Sequence, residues 1–202
     1  MPAASKARPR TKPPEQRRDE LVDAAQRLFL DQGVGPTTIE QITTGAGVAK
    51  GTFYLYFSSK EDLLAALGER YARQLLAGIE AAIAGHAGSD WKGKLASWAR
   101  ADATGYLDSI RLHDIAFYGS RPAAREDFGS NIVVDHLFEL LQAGVEAGAW
   151  SIEDPRLAAV FLFNGIHGVV DDAYIKEKRV NRSRLANRLE RLYFRAVGLP
   201  IG

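Results

Sequence analysis

The chain has 202 residues, 46% of them hydrophobic and 25% charged, enough to bury a sizeable core in one elongated or two small domains. It contains no cysteine, so neither a disulfide framework nor a thiolate site can be built, and that usage suits a reducing cytoplasm. The formal net charge of +1 conceals a basic start: residues 1–18 hold six Lys and Arg against one Glu, a net +5 that leaves −4 for the rest.

An arm rich in Pro, Ala and Ser cannot bury enough apolar surface to fold alone, so residues 1–13 are expected to be disordered. It is either a solvated tail or an arm that meets phosphates. No apolar segment follows its basic residues, which excludes a secretory signal. Residues 14–58 read as three helices. In the first, Leu21, Ala24, Ala25, Leu28 and Phe29 share one face, and Gly33 ends it. Thr38 and Gln41 form a capping box for a short second helix containing Ile39 and Ile42, which Gly45 and Gly47 break. A third segment over Ala49–Tyr56 closes at Phe57. Ser58 and Glu61 then form a second capping box, opening a long helix to about Ile83 with Leu63, Leu64, Leu67, Tyr71 and Leu75 on its apolar face.

Further helices are expected over residues 90–107, 109–118, 123–147, 155–176 and 182–197, with Pro122 and Pro155 at first-turn positions and Asp154 as a cap. The apolar run Leu157–Val170 is interrupted by Asn164 and His167 and is too short for a bilayer, which needs about 18 apolar residues. No segment alternates with period two, so the expected fold is all-α and no membrane partner is expected.

The stretch GAGVAKGTFYLYFSSKEDL, Gly45–Leu63, could cradle a phosphate or could turn a helix onto DNA. Phosphate loops of the common kinds lie between a strand and a helix, whereas these glycines lie between two short helices. GSDWKGKL, Gly88–Leu95, resembles a phosphate loop but ends in Leu95, which offers magnesium no hydroxyl. Helix, short glycine turn, helix, braced on both sides, is instead the geometry that places a helix in the major groove. Thr37, Thr38, Lys50, Thr52, Tyr54, Tyr56 and Lys60 offer hydroxyls and ammoniums for phosphate oxygens or base edges, while Ile42, Val48, Phe53 and Phe57 can hold the small core. The tyrosines could equally pack the helix junction, and Lys60 could be a solvated lysine. At a helix N-terminus a lysine is unfavourable, and a nearby phosphate would explain it.

TTIEQITTGAGVAKGTFYLYFSSKEDLL closely resembles the DNA-binding signature of the TetR family of bacterial transcriptional regulators, over roughly residues 14–67. The resemblance implies a three-helix helix-turn-helix domain joined by a long helix to a helical effector-binding and dimerisation domain, residues 59–202. It implies a homodimer, typically a repressor, that binds a palindromic double-stranded operator and a small-molecule effector. By the same resemblance Lys50, Gly51, Thr52 and Tyr54 face the groove, and Thr38, Tyr56 and Lys60 meet the backbone. Ala49 stands where Ser or Thr is common, and Thr43 where Ala is usual.

The remaining chain carries no comparable signature. Leu185, Leu189 and Leu192 form one stripe, and Gly165 and Gly168 allow close approach of a partner helix, so these residues are the expected dimer interface unless they pack within the chain. Trp98, His113, Phe117 and Asn164 are the expected effector lining, drawn from an aromatic supply that could also be plain core. Asn164, His167 and Asp171 share a face and either orient a ligand or bond across the dimer. The four histidines have no pair at helical ligand spacing, so neither a metal nor a cofactor is expected. Without a Gly-x-Ser-x-Gly, an HExxH or a cysteine, no catalytic machinery is expected. An alternative of another class is an architectural or division factor that binds DNA without an effector.

Overall fold

A computed structural model describes residues 13–118 and 131–200. The basic arm up to residue 12, Pro122 and the expected helix start at Ala123 lie outside the described residues. Those described form eight helices and no strand: α1 (Pro14–Gln32), α2 (Ile39–Gly45), α3 (Lys50–Phe53), α4 (Lys60–Ile83), α5 (Trp91–Tyr118), α6 (Ile132–Glu146), α7 (Pro155–Lys176) and α8 (Arg182–Ala196). The chain divides into two compact units after Leu67, within α4.

In the first unit, α1 buries Leu21, Val22, Ala25 and Phe29, and stops at Gly33, whose φ of 86° is left-handed. The capping box of α2 forms as its sequence dictates: Gln41 N donates to Thr38 Oγ1 at 3.2 Å, and Thr38 N donates to Gln41 Oε1 at 2.8 Å. Gly47, at φ 66°, turns the chain, and Val48 N closes the turn on Thr43 O at 2.9 Å. α3 is shorter than expected. Beyond Phe53 the backbone tightens into i to i+3 bonds, Leu55 N to Thr52 O and Tyr56 N to Phe53 O. The start of α4 is shifted by one residue from the expected Ser58–Glu61 pair. Ser59 Oγ accepts from Asp62 N at 3.1 Å, and the Asp62 carboxylate accepts from Ser58 N at 2.8 Å. The shorter acid at the third helical position folds back onto the chain where Glu61 points to solvent.

The second unit packs α5 to α8 around Trp98, Tyr106, Leu137, Leu141, Ile166, Leu189 and Tyr193, all nearly inaccessible. The two helices expected to meet near residue 108 are one element, bent at Ser109 (φ −126°, ψ 19°). The Ser109 hydroxyl donates to Gly105 O at 2.5 Å, a side-chain bond that competes with the helical ladder and bends it. Asn131, Asp154 and Asn181 cap α6, α7 and α8, with Pro155 in the first turn of α7. Among the described residues no helix is long and apolar enough to cross a membrane.

Candidate nucleic-acid interface and effector core

α3 is presented by the core beneath it. Phe53 and Phe57 are buried and touch at 5.7 Å between ring centroids, which leaves the intervening side chains outside. Lys50 and Gly51 are exposed, and nothing lies within 4 Å of where a Gly51 side chain would begin. Tyr54 is 56% exposed and meets Phe53 edge-on. Thr52 and Tyr56 are half-buried and, with Arg17, Val48 and Ala49, line a shallow hollow of about 650 Å³. The surface therefore combines donors, hydroxyls and an unobstructed glycine, as groove and phosphate contacts require.

Thr37 and Lys60 are placed otherwise. Thr37 is 1% exposed; its hydroxyl donates to Gly33 O at 2.7 Å and accepts from Gln32 Nε2 at 3.1 Å. Lys60 Nζ donates to the carbonyls of Val34 at 2.7 Å, Thr37 at 3.0 Å and Gly35 at 3.3 Å. Its three donors are thus consumed by the loop between α1 and α2. This is neither a solvated lysine nor one directed at a phosphate: the carbonyl dipoles offset its unfavourable place in the first turn of α4. Thr38 is exposed, but its Oγ1 is engaged in the cap of α2.

The expected effector lining separates into three places. Trp98 is fully buried, donates from Nε1 to His136 Nδ1 at 3.1 Å and stacks on Tyr193. Asn164 is exposed and bonds its own helix at Val160 O, 2.8 Å. His113 and Phe117 do come together, at 4.9 Å between ring centroids. Tyr106 lies 4.6 Å and His167 5.4 Å from His113, and the Tyr106 hydroxyl donates to Asp171 at 2.6 Å. Burial first, then the charge of His167, pulls the His113 imidazole below its usual range; burial does the same to His167. Tyr71, pushed up to about 12 by burial, completes the cluster through Ser109. Tyr106 and Ser109 were legible as members, since with His113 they repeat at i, i+3 and i+7 on α5.

The residues expected at a dimer interface also divide. Leu185 and Leu189 are 7% and 2% exposed, packed into this chain's own core. Leu192 is 49% exposed, and nothing lies within 4 Å of a Cβ at Gly165 or Gly168. Leu157, Phe161 and Ile175 continue that exposed face of α7, at 65%, 72% and 81%. Beside Gly168 a groove of about 440 Å³ is lined by Asp172, Lys176, Arg184 and Arg188. No group of three or more His, Cys, Asp or Glu among the described residues could hold a metal ion.

Residues 21–67 match the family described as bacterial regulatory proteins, tetR family. Over 82 residues the chain is 34% identical to the HTH-type transcriptional activator FasR of Mycolicibacterium smegmatis, covering 41% of this chain and 37% of that protein. Over 51 residues it is 41% identical to the HTH-type transcriptional repressor KstR2 of the same species, covering 25% of each. The matches therefore span well under half the length of these relatives. Whole-chain similarity appears among solved structures. The fatty acid degradation regulator FadR from Bacillus halodurans aligns with a TM-score of 0.71 and 26% identity over 91% of this chain and 96% of that one. FadR from Bacillus subtilis, in complex with stearoyl-CoA, aligns at 0.70 and 25% over 87% and 96%.

Proposed function

The N-terminal domain of this chain belongs to the TetR family of bacterial regulatory proteins, and on that premise we propose that the protein is a sequence-specific DNA-binding transcriptional regulator. The observation that carries this reading is the α2–turn–α3 unit with Lys50, Gly51, Thr52 and Tyr54 presented outward. One such unit reads too few base pairs to be specific, so the protein acts as a two-fold homodimer on a palindromic operator. The exposed apolar face of α7, with Gly165 and Gly168, is the surface for the mate. A small-molecule effector enters the second unit and releases the operator, and the protein acts as a repressor. Both an activator and repressors stand among its relatives, and the B. subtilis FadR structure holds stearoyl-CoA, which supports effector control. α4 carries residues of both units and is the element through which the effector acts.

Selection of bound fragments from random DNA by the full chain tests the reading; a single enriched palindrome is expected, and uniform recovery would remove it. Thr52→Ala is expected to change which bases are enriched at one half-site position while keeping random-DNA affinity within about twofold, since a base contact contributes about 1–3 kcal/mol of discrimination. Equal losses on operator and random DNA would move Thr52 to the backbone.

Lys60→Met gives a different result. It removes a charged donor from three carbonyls, and after allowance for partial exposure the first unit should lose about 2 kcal/mol of stability. Affinity should fall on every DNA sequence because the loop carrying Thr38 loosens. The salt dependence should not change, whereas removing a phosphate contact lowers its slope by about one unit. A flattened slope returns Lys60 to the phosphates.

A further inference from the structure

The backbone between Phe53 and Phe57 fixes where its side chains point. Both rings are buried, at 0% and 2% exposure, and the turn joining them is drawn tight by Leu55 N donating to Thr52 O at 3.2 Å and Tyr56 N to Phe53 O at 3.0 Å. In i to i+3 geometry three residues complete a turn, so Leu55 stands over Thr52 and away from the two anchored rings. It is 78% exposed, more than Tyr54 beside it. Gly51, on the preceding turn, has nothing within 4 Å of where a side chain would begin, so a duplex can come close along this edge. With Val48 and Ala49, Leu55 forms the apolar part of the wall of the hollow beside α3.

A single exposed apolar residue is ordinary on a protein surface. What sets Leu55 apart is the chemistry around it. Residues 46–57, AGVAKGTFYLYF, contain no Asp, Glu, Asn, Gln, His or Arg, and Lys50 is their one charge. The turn and α3 therefore have no carboxylate to accept from cytosine N4 and no amide to pair with adenine. Lys50 can donate to guanine O6 and N7, and the Thr52 hydroxyl serves any base. Thymine adds a C5 methyl, the apolar mark of the major groove, and an exposed leucine on the reading edge is the side chain that fits it. We propose that Leu55 is a specificity-determining residue that reads a thymine in each operator half-site through its C5 methyl. This rests on the DNA-binding reading above.

Such a contact can be removed from the DNA alone. Uracil pairs as thymine does, presents the same O4 acceptor and lacks only the methyl. Burying one methyl contributes about fourfold in affinity, so removing one from each half-site should cost about fifteenfold.

The test is selection by the full chain from two random DNA libraries, one made with thymine and one with uracil. Affinities are then measured on the duplex enriched from the first, with uracil placed at one symmetry-related pair of thymines at a time. At one such pair the parent should lose about fifteenfold. Leu55→Ala should match the parent in circular dichroism, since the side chain is exposed, and should bind the thymine and uracil duplexes within about twofold of each other. Leu55→Met, which keeps an apolar side chain of similar reach, should restore the uracil penalty. The proposal is overturned if uracil costs the parent less than about twofold at every pair. It is equally overturned if uracil costs Leu55→Ala as much as the parent, because the leucine would then lie against sugar or phosphate, or another residue would hold the methyl. The two readings separate in the selections. With no sequence enriched from the thymine library, the regulator reading falls and takes the role of Leu55 with it. One palindrome enriched alike from both libraries keeps the regulator and removes the thymine contact.

Discussion

Gly144→Ala is expected to destabilise the second unit by about 3 kcal/mol, although alanine is the better helix former. A Cβ at this position would lie 2.0 Å from Cζ2 and 2.2 Å from Cε2 of Trp150, far inside contact distance. The indole cannot step aside without loss. Its Nε1 donates to Leu141 O at 2.9 Å, within the turn before Gly144, and its ring meets Trp91 edge-on at 6.1 Å. At 7% exposure the residue has core on its other sides. Displacing it forfeits a buried hydrogen bond, about 1 kcal/mol, together with tight packing, and this outweighs the gain in helix propensity of roughly 0.5–1 kcal/mol. Gly78→Ala is the control, since nothing lies within 4 Å of its new Cβ; it should stabilise α4 by that smaller amount. Denaturant unfolding of both variants decides the matter. A Gly144→Ala chain as stable as the parent would mean that Trp150 is not seated across α6.

What was legible in the sequence follows the range of the interactions. The Thr38–Gln41 box and the Asp154–Pro155 start are local, so their residues alone determine them. The cap of α4 was misplaced by one residue because Ser58-x-x-Glu61 and Ser59-x-x-Asp62 overlap, and side-chain length favours the second. Lys60 was read as solvated or phosphate-bound because its carbonyl partners lie 23–26 residues earlier, a distance over which no spacing rule operates. Leu185 and Leu189 share a stripe with each other, and periodicity cannot say whether such a stripe meets its own chain or a mate. Packing decided for the former, leaving Leu192 and the glycines outside. The cluster around His113 was half legible for the same reason: helical spacing links Tyr106, Ser109 and His113 on α5, but their meeting with Tyr71 and His167 is tertiary. The burial of Asp102 was not legible, because an acid amid alanines on a helix ordinarily points to solvent, and only its neighbours reveal that it does not.

The largest functional effect is expected from placing charge on the outer face of α7. Phe161 and Gly168 lie two turns apart on that face, the first 72% exposed and the second with nothing within 4 Å of a Cβ. Glutamate at either position is therefore tolerated by the free chain, and circular dichroism of Phe161→Glu with Gly168→Glu should match the parent. Both changes are needed because Arg184 and Arg188 line the groove beside Gly168 and could answer a single carboxylate there. Between mated helices the added carboxylates are desolvated, two per protomer, at several kcal/mol each when unpaired, more than an interface of moderate size supplies. Light scattering should then report a monomer. A monomer holds one half-site reader, so operator affinity should fall by at least about 10³-fold, towards the level of random DNA, because specific binding exceeds non-specific binding by about 10³–10⁷. Affinity for random DNA should fall far less, since the substitutions leave each α3 surface as it was and non-specific binding is electrostatic. A doubly substituted chain that still scatters as a dimer would place the interface elsewhere, and the apolar face of α7 would then need another partner.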